Sequence, residues 1–451
     1  MRVIYFILFV VLFGTYALAC LRVLRFSTGL NAICGWMAGI GYFALAPLGL
    51  LTVAGVYKLP AKYDVGQTWG TADLSNVDYF LSYLMIWSAL MLMCVAVLLF
   101  ADHESKSPGI DLRMPLERVL GVTIATLMLE WLMMIRLAGG LEEFLASHWY
   151  QRTEGLAAQF GDRFVLLSHW MQATDILFVS AAAWYTSLSL QFGKTKKRFI
   201  FLVPLFLILQ MVITGNRIYI VIYLLAFLAS CSFLKKTKPV LWMLLGSPAL
   251  LFVFSAWGMA RHDLTAIPES VAAFSGEQEE SSTISSLMDA TEGLDFLLAL
   301  HIVQDYGPRR DFLYGETYLK TVTAWVPRSV YPTKAENFTV LIAKEYLPNQ
   351  DTSLNATALG EMYANFGPFL LLFFPLLTAG VIGVNSWVER HREAHPLFPI
   401  LFFVLAVWMV RTAFADTVVL CFMSMLQIAV LCLDKIMRLG FKKQSLQMAT
   451  L

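Results

Sequence analysis

Charged residues are scarce in this 451-residue chain, since Asp, Glu, Lys and Arg together make up only 14% of it. Soluble domains carry about 25% charged and about 45–50% apolar residues, whereas 58% of this chain is hydrophobic. A single hydrophobic core stops growing at about 250–300 residues, so one soluble domain could not hide this apolar excess. The composition therefore argues against soluble enzymes and disordered proteins, and it predicts an all-α polytopic membrane protein.

The chain also lacks an excess of charge of either sign and a cysteine framework. Its 33 Lys and Arg residues against 32 Asp and Glu residues give a formal net charge of +1, so no overall field attracts nucleic acid. The six cysteines all lie inside or at the ends of apolar runs, and no pair has metal-ligand spacing: Cys20, Cys34, Cys94, Cys231, Cys421 and Cys432. We interpret them as small apolar residues, which predicts neither a metal site nor a disulfide framework.

Long apolar runs are what the chain does contain. A membrane-spanning helix needs about 20 mostly apolar residues, and eleven segments are candidates: 2–20, 30–55, 79–101, 118–138, 172–192, 198–213, 217–234, 239–258, 366–387, 397–412 and 416–434. A signal peptide is the alternative for the first segment. We expect a helix there, because it has no clean cleavage site and is followed by Arg22 and Arg25.

Basic clusters alternate along the connecting segments and mark the cytoplasmic side, which places the N-terminus outside. The chain then divides into a bundle of about eight helices (1–258), a large hydrophilic outer loop with amphipathic helices (259–365), and C-terminal helices with a basic cytoplasmic tail (366–451). No cytoplasmic segment is long enough for a nucleotide-binding domain, and neither a P-loop nor a dinucleotide fingerprint occurs. Any chemistry is expected outside, without a nucleotide.

The large loop has a pattern of its own. Residues 282–305 are predicted to form a helix with one apolar stripe: Leu287, Leu294, Leu297, Leu298 and Ile302. The run WVPRSVYPTK at 325–334 contains two prolines, which cannot sit inside a regular helix, so a fixed irregular turn is expected there.

Three arginines are predicted at the outer membrane boundary, namely Arg217, Arg261 and Arg411. A charge within a bilayer costs at least about 2.5–3.5 kcal/mol on insertion scales, so these residues need a partner. Guanidinium binds phosphate bidentately and stays charged, which favours a pocket for a lipid pyrophosphate. Ordinary snorkelling towards lipid phosphates is the alternative for each arginine.

Few residues could move a proton on the outer side. Glu361 lies close to the predicted ninth span and could take a proton from a sugar hydroxyl, although a capping role is the alternative. His301 and His262 are weaker candidates for a base, and His169 has no clustered partners in the sequence. Asp416 is expected to pair with Arg411 or Arg217 rather than to act in catalysis.

Three segments resemble the bacterial oligosaccharide repeat-unit polymerases, the Wzy-type enzymes of O-antigen and enterobacterial common antigen. The segments are TGNRIYIVIY, WVPRSVYPTK and TALGEMYANFG, and the order and spacing match over residues 210–420. The motif positions include Gly215, Arg217, Pro327, Arg328, Tyr331, Pro332, Lys334, Gly360, Glu361, Tyr363, Asn365, Phe366 and Gly367. Ala335 departs from the family, which often has a second proline there. The N-terminal half is similar only in hydropathy.

The resemblance implies a GT-C-like glycosyltransferase on the periplasmic face of the bacterial inner membrane, working without a metal or cofactor. Donor and acceptor would be oligosaccharides linked to undecaprenyl pyrophosphate, and binding of a chain-length regulator is left open. Glu361 would be the first choice of base, before His301 and His262. Pyrophosphate binding would fall to Arg217, Arg261, Arg328, Arg411 and Lys334. The candidates for glycan contacts are Trp325, Tyr331 and Tyr363, and an ordinary interfacial aromatic belt is the alternative.

Two other functions stay open from the sequence. An O-antigen ligase would use the same donor with a different acceptor. A lipid-linked oligosaccharide flippase would need charges at mid-depth in its helices, and Glu130, Asp175 and Asp416 are the candidates for such charges.

Overall fold

The computed structural model describes residues 2–26, 31–58, 71–101, 116–137, 139–141, 162–192, 197–214, 218–233, 293–326, 330–333, 336–347, 354–390 and 397–431. The elements of the first part are α1 (Arg2–Phe26), α2 (Ala32–Ile40), a π-helical turn (Gly41–Leu45), α3 (Ala46–Ala54), β1 (Val56–Lys58), β2 (Thr71–Asp73), α4 (Val77–Phe100), α5 (Leu116–Leu137), α6 (Asp162–Phe192), α7 (Lys197–Thr214) and α8 (Ile218–Phe233). The two strands pair antiparallel, with Val56 opposite Asp73.

The second part of the chain begins with short helices and ends with long ones. Its elements are α9 (Gly293–Asp305), α10 (Glu316–Thr323), α11 (Phe338–Tyr346), α12 (Thr357–Phe366), a 3-10 turn (Gly367–Phe369), α13 (Leu370–Arg390), α14 (Leu397–Arg411) and α15 (Phe414–Leu431).

Helices lie over ten of the eleven predicted spans, while the predicted span 239–258 lies outside the described residues. Six helical stretches among the described residues are long and apolar enough to cross a membrane: Arg2–Arg25, Ala32–Ala54, Val77–Phe100, Leu116–Arg136, Thr357–Arg390 and Phe414–Leu431. A helix satisfies its own backbone hydrogen bonds, which lipid cannot do. The fold is therefore that of a helical protein suited to a membrane, and the total of eleven spans stays a prediction.

Local sequence sets several of the element boundaries. Asn31 begins α2 by accepting a hydrogen bond from the backbone N–H of Cys34 at 3.0 Å, as an N-cap residue should. Gly367 separates α12 from α13 with φ of +58°, a conformation that favours glycine. The ring of Phe312 would lie only 2.6 Å from a Cβ atom at Gly367, so a side chain is also excluded there by space.

The bundle has two ends that contacts between helices define. The end near Ala54 and Val77 is called the upper end here, and Thr52 of α3 meets Tyr83 of α4 below it through hydroxyl groups 3.1 Å apart. At the opposite, lower end, the Asn31 side chain donates to Glu389 Oε1 at 3.3 Å. Helix α13 therefore runs downwards and ends beside the start of α2.

Helix α14 forms the centre of the bundle and is buried along almost its whole length. It packs against α2 through two glycines, because Gly35 faces the backbone of Phe403 and Gly39 faces Val410. Arg411 therefore lies near the level of the π-helical turn, below the upper end, where the chain reverses into α15. The sequence predicts this turn at the outer membrane boundary, and that placement stays a prediction.

Helix α9 fills the space above this turn. Gly293 and every residue from Phe296 to Val303 are buried, and the helix packs against α4, α12 and the π-helical turn. The sequence predicted a loop helix with one apolar stripe, whereas the described part of that helix is covered on nearly all sides. Residues 282–292 of the predicted helix lie outside the described residues.

Alanine at Gly35 is expected to destabilise the protein by about 1–3 kcal/mol, because overpacking a tight helix contact forces the backbones apart. A Cβ atom there would lie 2.8 Å from both the Cα and the carbonyl carbon of Phe403, and backbone atoms cannot swing away. Gly380→Ala is the matched control, since nothing lies within 4 Å of a Cβ atom at that helical glycine. Thermal unfolding of the purified protein should show a lower midpoint for Gly35→Ala alone.

Candidate functional site

Glu361 of α12 lies at the centre of a buried polar cluster and is 0% exposed. Its Oε1 atom accepts a hydrogen bond from the Thr317 hydroxyl at 2.9 Å. Its Oε2 atom accepts one from the backbone N–H of Phe414 at 2.6 Å. Glu361 therefore joins α10 to α12 and places a carboxylate at the N-terminus of α15, where the helix dipole favours negative charge.

Asn365 holds this arrangement in place from one turn further along α12. Its Nδ2 group donates to Thr317 Oγ1 and to the backbone carbonyl of Glu361, both at 2.8 Å. The ring of Tyr318 stacks on that of Phe414, with centroids 5.1 Å apart. Helix α10 is thus attached to α12 by polar contacts and to α15 by an aromatic contact.

A buried ion pair continues the cluster along α15. Lys320 Nζ lies 2.9 Å from Asp416 Oδ1, and their side chains are only 5% and 11% exposed. His169 Nε2 of α6 lies 3.5 Å from the same Asp416 oxygen. From the sequence, Asp416 was expected to pair with Arg411 or Arg217, and His169 had no clustered partner. The expectations for His169 and for an Arg411–Asp416 pair were wrong, because α10 brings Lys320 to Asp416 and α6 brings His169.

Arg411 ends α14, three residues before α15 begins, and is 9% exposed. Its Nε atom lies 3.8 Å from Asp295 Oδ2 on α9, and its guanidinium carbon lies 5.8 Å from the centre of the Trp408 ring. The ring of Tyr219, near the start of α8, stacks on the ring of Trp408, with centroids 5.6 Å apart. Two buried charged groups therefore flank the α14–α15 turn: Arg411 with Asp295 on one side, and Lys320 and His169 with Asp416 on the other.

Some of the other candidates from the sequence lie away from this cluster, and the rest lie outside the described residues. His301 is buried, with Nε2 3.2 Å from the Tyr79 hydroxyl, so it joins α9 to α4 rather than facing the cluster. Tyr363 is buried beside Phe312, whereas Trp325 and Tyr331 are each 40% exposed. Arg217, Arg261, His262, Arg328 and Lys334 lie outside the described residues.

A second polar network joins α9 to α11. The Tyr306 hydroxyl donates to Glu345 at 2.7 Å, and the Tyr346 hydroxyl donates to Asp305 at 2.8 Å. Burial and the neighbouring carboxylates raise the pKa of both phenols, so they remain donors at neutral pH. Arg310 pairs with Glu345 at 2.9 Å. These contacts fix α11 over α9.

Glu130 and Asp175 form a separate buried acidic group between α5, α6 and α7. The Gln210 amide donates to Asp175 and accepts from the indole of Trp131 at 2.6 Å. Glu130 is 8% exposed, and its Oε1 atom has no hydrogen-bond partner among the residues that the structure describes. Among the described residues, no group of three His, Cys, Asp or Glu side chains could hold a metal ion.

Sequence reasoning missed Thr317, Lys320, His169 and Asp295, and the reason is the same for each. Their partners lie on other elements, far away in the chain. Thr317 and Lys320 are three residues apart on α10 and therefore share a face, which was a signal for a buried polar face once the helix was known.

Comparison with protein-family models, with curated proteins and with solved structures finds no match to this chain.

Proposed function

We propose that this chain is a glycan polymerase of the bacterial inner membrane. It would transfer a growing glycan from undecaprenyl pyrophosphate to a new lipid-linked repeat unit on the periplasmic face, as a GT-C-like enzyme with about eleven spans. The observation that carries the proposal concerns the run TALGEMYANFG, which bears the resemblance to the Wzy-type polymerases. This run forms α12 and brings Glu361 and Asn365 into the polar cluster that also contains Lys320 and Asp416.

The proposed reaction needs positive charge on one side and a base on the other. The acceptor hydroxyl oxygen attacks the anomeric carbon, the bond from that carbon to the pyrophosphate oxygen breaks, and undecaprenyl pyrophosphate leaves with the electron pair. Guanidinium groups stabilise the charge that grows on the leaving group. Arg411 is the described residue proposed for this role, and the positions outside the described residues are Arg217, Arg261, Arg328 and Lys334.

Glu361 is the proposed acceptor of the proton. The Thr317 hydroxyl already donates to its carboxylate, so a hydroxyl that hydrogen-bonds to Thr317 could release its proton while Thr317 passes its own to Glu361. His301 and His262 remain the secondary proposals, and the position of His301 against Tyr79 argues for a structural role. The aromatic rings of Trp325, Tyr331 and Tyr363 are the proposed glycan contacts.

Purified protein with a defined lipid-pyrophosphate oligosaccharide tests the proposal directly. A ladder of products that differ by one repeat unit in mass is expected, without added nucleotide or metal. In a deletion strain, single-repeat surface glycan would favour the polymerase, and unlinked long polymer would favour the ligase alternative. No product above the starting mass would rule out polymerisation.

A transporter of lipid-linked oligosaccharide is the second candidate, and the buried Glu130–Asp175 group favours it. An acid at mid-depth in a membrane protein is a functional candidate by default, and neither residue belongs to the cluster around Glu361. Glu130→Gln separates the two functions. Under the polymerase proposal the variant keeps the product ladder, and under the transporter alternative it loses translocation of a fluorescent lipid-linked sugar in vesicles.

Arg411→Ala is expected to slow chain lengthening by about 100-fold, the lower end of the loss seen when one donor to a developing anion is removed. Arg411→Lys should recover part of the rate, because lysine keeps the charge but loses the planar fork. Arg309→Ala is the control, since this arginine is 71% exposed and pairs with Asp305, one turn away on the same stretch of chain. Initial rates of the mass ladder measure all three, and an unchanged rate for Arg411→Ala would contradict its role.

A further inference from the structure

Helix α10 buries polar side chains and exposes apolar ones, the reverse of an amphipathic helix in water. Thr317 and Lys320 are 2% and 4% exposed and point towards α12 and α15. Leu319 and Val322, on the other side of the helix, are 63% and 73% exposed. A helix that lies against water buries its apolar side, so this arrangement indicates that the exposed side of α10 does not face water.

The contacts of α10 also show how far it descends along α15. Thr317 lies beside Glu361, which binds the first residue of α15, and Lys320 pairs with Asp416. Trp325, just after the helix, packs edge-on against Phe422, with ring centroids 4.7 Å apart. From Phe414 to Phe422 are eight residues, a descent of about 12 Å at the helical rise. Phe422 stands at the middle of a candidate membrane span, Phe414–Leu431.

The exposed side of α10 continues an exposed apolar surface on α15. On α15, three apolar residues at helical spacing are exposed along the same stretch: Phe422, Leu426 and Val430. Trp325 contacts the first of them, so the apolar surfaces of the two helices join. Contiguous exposed apolar surface of this kind marks an interaction site, and here it adjoins the surface of a helix suited to span the membrane.

We propose that residues 316–326 are a re-entrant segment, with Leu319, Val322 and Trp325 in contact with the acyl chains of the leaflet at the upper end. Residues Glu316–Thr323 satisfy their backbone as a helix, and the side chains of Thr317 and Lys320 bind Glu361 and Asp416 instead of facing lipid. Glu316 is exposed at the start of the helix, the end of the segment that is nearest to water. The sequence predicts these residues in the large hydrophilic loop 259–365. The proposal does not depend on the proposed function, because it concerns only where this segment lies.

Site-directed labelling in lipid nanodiscs tests the segment without any activity assay. Val322→Cys and Tyr314→Cys are made in a background where the six native cysteines are replaced by alanine. Tyr314 is the matched control, because it is 81% exposed and precedes the start of α10 by two residues. In one measurement, each cysteine carries a bimane probe, and its fluorescence is recorded in lipids that carry a doxyl quencher on the acyl chain. In the other, the rate at which a charged methanethiosulfonate modifies the unlabelled cysteine is measured.

Position 322 should be quenched by the acyl-chain doxyl lipids, and position 314 should not. The charged reagent should modify Val322→Cys about tenfold or more slowly than Tyr314→Cys, because the reaction needs a thiolate that lipid disfavours. Equal modification rates would place the segment in water. Protection without quenching would mean that protein, such as a second copy of the chain, covers it; either result overturns the proposal. Leu319→Cys replaces Val322→Cys in the same comparison if that variant fails to fold.

Discussion

Replacing Glu361 by glutamine is expected to slow chain lengthening by about 10²- to 10⁴-fold, the contribution of a positioned general base. Glutamine has the same shape as glutamate and can keep both contacts of the side chain. Its oxygen can accept from the Phe414 N–H, and its amino group can donate to the Thr317 hydroxyl, which now occupy the two carboxylate oxygens. The fold should therefore survive while the capacity to take a proton is lost.

The measurement combines initial rates of the mass ladder with thermal unfolding of each variant. Glu361→Ala should lose stability as well as activity, since a hydrogen bond to a charged group contributes about 1.5–3 kcal/mol. Glu345→Gln is the control carboxylate, because it lies on α11 in the second polar network. A folded Glu361→Gln variant with the normal rate would leave Glu361 as a helix cap only.

Much of the helical architecture followed from local sequence. The spans were visible because a long apolar run must form a helix to satisfy its backbone in lipid, and α1, α4 and α5 lie where hydropathy predicted them. Local caps such as Asn31 follow from short-range chemistry in the same way. Depth did not follow, because α14 is apolar whether it reaches a membrane boundary or ends inside the bundle.

The candidate site was only half visible in the sequence. Glu361 and Asn365 were found because they belong to one motif, separated by a single helical turn. Lys320 and His169 were missed because their common partner, Asp416, lies on α15, distant from both in the chain. The sequence of α10 also does not indicate which side of the helix is buried. Polar and apolar residues alternate with the same helical period whether the apolar side faces the protein or lipid.

Lys320→Met should destabilise the protein by about 3–5 kcal/mol, because breaking a buried ion pair leaves an uncompensated charge. Methionine fills a similar volume, so the lost free energy of unfolding comes from the charge left on Asp416 and not from a cavity. Lys344→Met is the matched control: its pair with Glu336 is close, at 2.7 Å, but the two side chains are 59% and 38% exposed. Exposed pairs contribute about 0–1 kcal/mol, so the control should unfold almost normally.

The double variant Lys320→Met, Asp416→Leu distinguishes the stability of this pair from its effect on the site. Removing both charges should recover most of the lost free energy of unfolding, as replacement of buried ion pairs by apolar side chains often does. Activity should not recover to the same extent, because Lys320 also fixes α10, from which Thr317 reaches Glu361. Denaturant unfolding together with mass-ladder rates measures both quantities on one preparation. If the double variant regained full activity, the pair would serve the fold alone, and the proposed relay through Thr317 would not depend on how α10 is held.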